Sequence, residues 1–296
     1  RFSAVIAQFY TNQGDYSRAL KYYKLKQQLA ARLKDPVGKR IGLSGMGIAL
    51  SRSGKKEEAL KCFRQALETA EKSGDRNGYS KALLNIGTIY RNQGNYAEAL
   101  THYQKSLVIA HHIGNLMQES IIIYDIGELL SYQNRHEEAL TFFRRSLEIA
   151  DKIGDDNGKS FCYDAIGDNY FHRGLYQEAK ATYEENLILQ LRINDREGIA
   201  HTRGNLGNIA KTEQNWDLAR ENYHKQLDIL SEVGDQDGSG RAWFNLAMID
   251  IEAGTPQHAK AKLEKALELF QACGAQYYID LTREQLKSVS DADPTT

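Results

Sequence analysis

Apolar residues along this chain fall into paired stripes of helical spacing. Leu83, Ile86, Gly87 and Tyr90 recur at intervals of one, three and four, and beyond the polar break Gln93-Gly94-Asn95 a second stripe runs through Ala99, Leu100, Tyr103, Leu107 and Ala110. Such spacing marks one buried face on each of two successive helices. Gly94 suits the left-handed turn that ends the first helix, and Asn95, or Asp15 at the same place earlier in the chain, suits the start of the second by accepting its free backbone N–H groups. The pattern returns every forty residues, with alanine at Ala19, Ala59, Ala99, Ala139, Ala179, Ala219 and Ala259. A helix pair that cannot bury its own apolar face must stack on its neighbours, so this period predicts a linear array.

The rest of the period fits two closely packed helices per unit. Ala7, Gly47, Gly87, Gly127, Gly167, Gly207 and Ala247 keep one helix thin, and Tyr23, Phe63, Tyr103, Phe143, Tyr183 and Tyr223 on the other are expected to fill the space beside them. Gly74, Gly114, Gly154, Gly234 and Gly274 are expected to end the second helix, with Asp75, Asn115, Asp155 and Asp235 capping the helix that follows. These positions place repeats at about 1–34, 35–74, 75–114, 115–154, 155–194, 195–234 and 235–274. Residues 276–290, with Tyr278, Leu281, Leu286 and Val289 apolar and Asp280, Arg283, Glu284 and Lys287 polar, read as a capping helix before a tail at 291–296. At the other end Phe2, Val5, Ile6 and Phe9 form an apolar strip that needs cover from upstream residues or from another copy. With no initiator methionine, the chain reads as a segment of a longer protein.

At the Leu/Ile-Gly, Tyr, Ala and Tyr/Phe positions the chain resembles the tetratricopeptide repeat (TPR) family over essentially its whole length. Its period of forty exceeds the standard thirty-four, and Gly-Asp or Gly-Asn replaces the usual closing proline. In both respects it is similar to the forty-residue subclass found in Leu-Gly-Asn spindle adaptors, kinesin light chains, bacterial peptide-sensing regulators and STAND-type signalling proteins. The resemblance implies an all-α, right-handed superhelical solenoid of seven helix pairs plus the capping helix, forming a single domain over 1–290. It also implies a concave groove lined by the first helix of each pair. The groove positions are then Asn85 and Thr88, Asp125 and Glu128, Asp164 and Asp168, Asn205 and Asn208, and Asn245, flanked by Lys81, Arg91, His201, Lys211 and Arg241. Asparagine both donates to and accepts from a peptide backbone, and carboxylates on adjacent helices select Lys or Arg in the captured chain.

Composition narrows the chemistry further. A net charge of −1 with no basic block argues against nucleic acid or an anionic membrane as a direct partner. Three cysteines, Cys62, Cys162 and Cys273, lie about a hundred residues apart, which suits small packed thiols in a reducing, cytoplasmic setting. No apolar run approaches a membrane span. Gly42, Gly45 and Gly47 lack the preceding strand and following Lys-Ser/Thr of a phosphate loop; Gly47 is the repeat glycine, and Gly42 and Gly45 are expected to thin a helix where a neighbour or partner comes near. The spacing of Asp164, Asp168 and His172 permits a metal site, but the ligand pairs of a di-iron bundle are missing, as is a facing set for His111 and His112. No nucleophile elbow or catalytic triad spacing is present. The sequence therefore predicts a non-catalytic protein- or peptide-binding scaffold that needs no cofactor or metal and captures its partner, a basic segment among the options, in the groove. A sensor array controlling an attached ATPase, kinase or DNA-binding domain is the first alternative, and a self-assembly scaffold pairing through the uncovered first helix is the second.

Overall fold

The computed structural model describes residues 2–291, and in it each forty-residue repeat folds as two helices doubled back on a tight turn. The pairs are α1 (Phe2–Asn12) with α2 (Tyr16–Arg32), α3 (Pro36–Arg52) with α4 (Lys56–Ser73), α5 (Arg76–Asn92) with α6 (Tyr96–His112), and α7 (Leu116–Tyr132) with α8 (His136–Ile153). They continue as α9 (Asp156–His172) with α10 (Tyr176–Ile193), α11 (Arg196–Thr212) with α12 (Trp216–Val233), and α13 (Gln236–Glu252) with α14 (Ala259–Cys273), before the last helix α15 (Gln276–Asp291). A 3-10 turn, Pro256–His258, opens α14. No strand occurs among the described residues. Of the expected tail, 292–296 lie outside them.

Two compact units make up the chain, residues 1–158 and 159–296, with the boundary inside α9. In the first, odd-numbered helices touch one another in the order α1, α3, α5, α7, while α2, α4 and α6 each pack on the odd helices flanking them and α8 packs on α7. In the second, α11 lies against α10 and α12, α13 against α12 and α14, and α15 against α14.

Close packing depends on the thin positions of the odd helices. A Cβ added at Gly47, Gly87, Gly127, Gly167 or Gly207 would stand 2.5–2.8 Å from the ring of Phe63, Tyr103, Phe143, Tyr183 or Tyr223 respectively. These are contacts that only glycine permits without displacing the ring. Gly42 and Gly45 serve the neighbouring α2 in the same way, their added Cβ atoms meeting the Gln27 backbone at 2.8 Å and the Tyr23 ring at 2.1 Å.

Asp35, Asp75, Asn115, Asp155, Asp195 and Asp235 each accept the backbone N–H three residues on, at 2.8–3.1 Å, and so start the odd helices. The even helices differ. Asp15 caps α2 through Arg18 N at 2.9 Å, whereas Asn95 makes no such bond at α6.

At the C-terminal end, α15 buries Ile279, Thr282 and Val289 and leaves Asp280, Arg283, Glu284 and Lys287 exposed. At the other end Phe2, Val5, Ile6 and Phe9 are all exposed, Phe2 at 86%. Cys62 is half-buried, Cys162 buried and Cys273 exposed, and burial raises the Cys62 thiol above its ordinary value.

Candidate ligand-binding groove

The aromatic ring that fills the space beside each glycine carries a hydroxyl in four repeats, and that hydroxyl reaches the residue fifteen positions earlier on the odd helix. Tyr23 donates to Gln8 at 3.0 Å, Tyr103 to Thr88 at 3.3 Å, Tyr183 to Asp168 at 2.5 Å and Tyr223 to Asn208 at 2.6 Å. Phenylalanine takes the ring position at Phe63 and Phe143, where the odd-helix residues are Ile48 and Glu128. Burial pushes the Tyr103 phenol up to about 12 and raises Tyr183 and Tyr223 too, so all three remain donors at neutral pH.

On the odd helices of the N-terminal unit Arg91 gathers the neighbouring polar residues. Its guanidinium bonds Asp125 at 3.0 Å, faces Glu128 at 3.9 Å and lies over the Tyr132 ring at 5.9 Å. Burial pushes the Asp125 carboxyl up to about 6 against the opposing pull of Arg91. Asn85 is half-buried on α5, and Lys81 is exposed there.

In the C-terminal unit Asp164 accepts from Asn186 Nδ2 at 2.8 Å and Thr202 Oγ1 at 3.4 Å, with His201 Nδ1 at 3.8 Å. Pairing with Asp164 raises the His201 imidazole. Asp168 accepts from Asn205 as well as Tyr183, and burial raises its carboxyl. Arg91 offsets one carboxylate charge in the N-terminal unit and a protonated His201 one in the C-terminal unit, so the charge left to attract a cationic partner is smaller than four carboxylates suggest.

Between α11 and α13 the face opens into a cavity of about 510 Å³. Asn205, Asn208 and Asn245 line it together with His201 and Arg241, and Gly204, Gly238, Gln226 and Leu230 form part of its wall. Arg241 is bonded to Asp237 and lies over the ring of Tyr278 at 5.7 Å, so the last helix helps to fix it. Tyr223 orients the Asn208 amide. Lys211 is directed to Glu252 at 2.9 Å instead and does not line the cavity.

The family model of the tetratricopeptide repeat matches residues 3–72, 78–152, 119–187 and 198–272. The chain belongs to the tetratricopeptide repeat family. Its TPR fold is similar to that of BtubC (BKLC) from P. vanneervenii, at 17% identity and a TM-score of 0.67 over 74% of this chain and 92% of that one. It is likewise similar to a signal-transduction ATPase with numerous domains (STAND) from Pyrococcus horikoshii that carries a TPR sensor, at 18% identity and a TM-score of 0.72. That match covers 96% of this chain and 44% of the STAND protein. Aspartyl phosphate phosphatase F from Bacillus subtilis is a third, at 16% identity and a TM-score of 0.69 over 91% and 70%. No curated protein matches.

Five residues that the TPR resemblance singled out therefore meet at one cavity. Sequence reasoning missed Gly204 and Gln226 beside them. The signal was available, because Gly204 stands where the other repeats have Ala4, Ser44, Leu84, Tyr124, Asp164 and Phe244. A larger recess of about 760 Å³ lies in the N-terminal unit against Tyr79, Leu107 and Val108, and none of the groove residues lines it. Among the described residues no group of three His, Cys, Asp or Glu side chains is placed to hold a metal ion, and no helix is long and apolar enough to cross a membrane.

Proposed function

We propose that this TPR chain is a non-catalytic binding scaffold that captures an extended protein or peptide segment along the odd-helix face, with the cavity between α11 and α13 as its anchor. The observation that carries this reading is the convergence of Asn205, Asn208 and Asn245 on one open cavity of about 510 Å³. Carboxamides spaced along two helices can pair with successive backbone N–H and C=O groups of an extended chain, independent of its side chains. In the same unit Asp164 and Asp168 offer further polar contacts, and the odd helices of the N-terminal unit carry Asn85, Thr88, Asp125 and Glu128.

The test is to pan a displayed library of short random peptides against the chain and to measure the enriched peptides on Asn205→Ala/Asn245→Ala. The double variant should bind them about tenfold or more weakly, since each loss leaves a buried polar group of the peptide unpaired. Enriched peptides that bind the double variant unchanged would place recognition elsewhere, and an unenriched library would end the peptide reading.

A second reading, a sensor array that switches an attached domain, is favoured by the likeness to the STAND protein's TPR sensor over 96% of this chain. Small-angle scattering with and without an enriched peptide separates the two readings. A sensor changes its scattering profile on capture, and a passive scaffold does not.

A further inference from the structure

The cavity arises from a local departure from the repeat. In the three repeats before it, the even helix carries a polar residue that bonds its own odd helix: Ser106 and Ser146 exchange bonds with Ser80 and Ser120 at 2.8–3.1 Å. Asn186 bonds the Ser160 carbonyl at 3.2 Å and the Asp164 carboxylate at 2.8 Å. One repeat later the even-helix residue is Gln226, but Ala200 replaces the serine and Gly204 the aspartate. The polar group is kept while the side chains that would satisfy it are gone.

Gln226 accordingly has a buried Oε1 with no hydrogen-bond partner. Its amide packs against the open space at Gly204, where an added Cβ would stand 2.5 Å from Nε2. Turning that amide toward the cavity breaks no hydrogen bond, and a buried amide oxygen without a donor is a cost that an incoming donor relieves. At the rim Arg241 is engaged with Asp237, His201 with Asp164 and Asp235 with Gly238 N, while the Glu197 carboxylate stands exposed. Apart from Glu197, what remains for a ligand is a set of neutral carboxamides: Gln226 in the wall and Asn205, Asn208 and Asn245 around it.

We propose that this cavity is a recognition pocket for a neutral carboxamide side chain, Gln or Asn, of the captured segment. A carboxamide donates and accepts at once and can pair reciprocally with Gln226. A carboxylate entering the same pocket loses its hydration and stands beside Glu197, and an ammonium group can satisfy Gln226 Oε1 but leaves the amide N–H groups of Gln226 without an acceptor. An alkyl side chain leaves the Gln226 amide unsatisfied. This inference rests on the groove reading above and adds the chemistry of one residue of the partner.

The experiment is a positional-scanning peptide library measured on the wild-type chain, on Gly204→Leu and on Gln226→Leu, with circular dichroism to confirm that helix content is retained. Leu84 occupies the position equivalent to Gly204 in a repeat where Ser106 stands in place of Gln226, so leucine at 204 displaces the Gln226 amide, and Gln226→Leu tests the pocket without that displacement. On the wild type one library position should prefer Gln or Asn over Glu, Lys and Leu by about tenfold or more. Both variants should lose that preference while keeping their preferences at the other positions. In parallel, the side-chain amide resonances of Gln226 should shift on titration with N-acetyl-glutamine amide and stay in place with N-acetyl-glutamate amide. Peptide binding with no carboxamide preference, or a preference that survives in both variants, would overturn the pocket and leave the groove reading standing. No binding of the library to the wild type would overturn both.

Discussion

Asp125 lies 3.0 Å from a guanidinium and its carboxyl is still pushed up to about 6, because desolvation of the charged form outweighs the attraction of Arg91. The sign of the resulting pH dependence follows. Between about pH 4 and pH 6 the folded chain holds a proton on Asp125 that the unfolded chain has released, with the lower bound set by the ordinary aspartate value. Its contribution to stability is therefore full below about pH 4 and is lost as pH rises through 6. In urea unfolding, Asp125→Asn should gain on the wild type across that window, by at most about 3 kcal/mol, and the difference should level off above it. A flat difference, or one of opposite slope, would mean that Arg91 outweighs burial at this site. The sequence placed Asp125 and Arg91 on the groove face, since both are fixed by the repeat. Their pairing was not legible there, because a bond across thirty-four positions depends on the relative height of two neighbouring helices.

At the scale of the helix pair, the glycine-to-ring contact decides how close two helices come. Gly127→Ala sets two effects against each other: alanine favours the helix interior by about 1 kcal/mol, but its Cβ would stand 2.7 Å from the Phe143 ring. Overpacking should win, with a net loss of about 1–2 kcal/mol. Adding Phe143→Leu should recover part of it by giving the methyl group room. Thermal unfolding of the single and double variants checks this, and a single variant more stable than wild type would show that the ring yields freely. This contact was legible in the sequence, because residue size alone recurs at the two facing positions. The capping pattern was legible only in part. Asp75 and Asn115 cap as their types suggest, while Asn95, of equal capping propensity, makes no cap bond at α6. Residue type sets the ability to cap, and the backbone entering the helix decides whether the side chain is aimed at the N–H groups.

Across the whole molecule the net charge is −1, and Arg91 and a protonated His201 offset part of the charge of the groove carboxylates. Capture should therefore respond only modestly to ionic strength, losing less than about threefold in affinity between about 50 mM and 500 mM salt. Measuring an enriched peptide at both conditions decides the matter. A loss well above tenfold would restore Lys or Arg as the residues the groove selects. The array itself was readable from the forty-residue period, because identical units must stack in the same way. The cavity was not, because it appears where the sequence stops repeating.

That interruption makes the pocket portable. Ala200, Gly204 and Gln226 correspond one repeat earlier to Ser160, Asp164 and Asn186, at the same offsets on the same kind of helix pair. Ser160→Ala, Asp164→Gly and Asn186→Gln would copy the opening to an adjacent address, so a chain carrying both would read two side chains in place of one. A partner's sequence could in this way be matched by choosing which repeats are hollowed and which are filled, with the glycine-to-ring contacts left as they are.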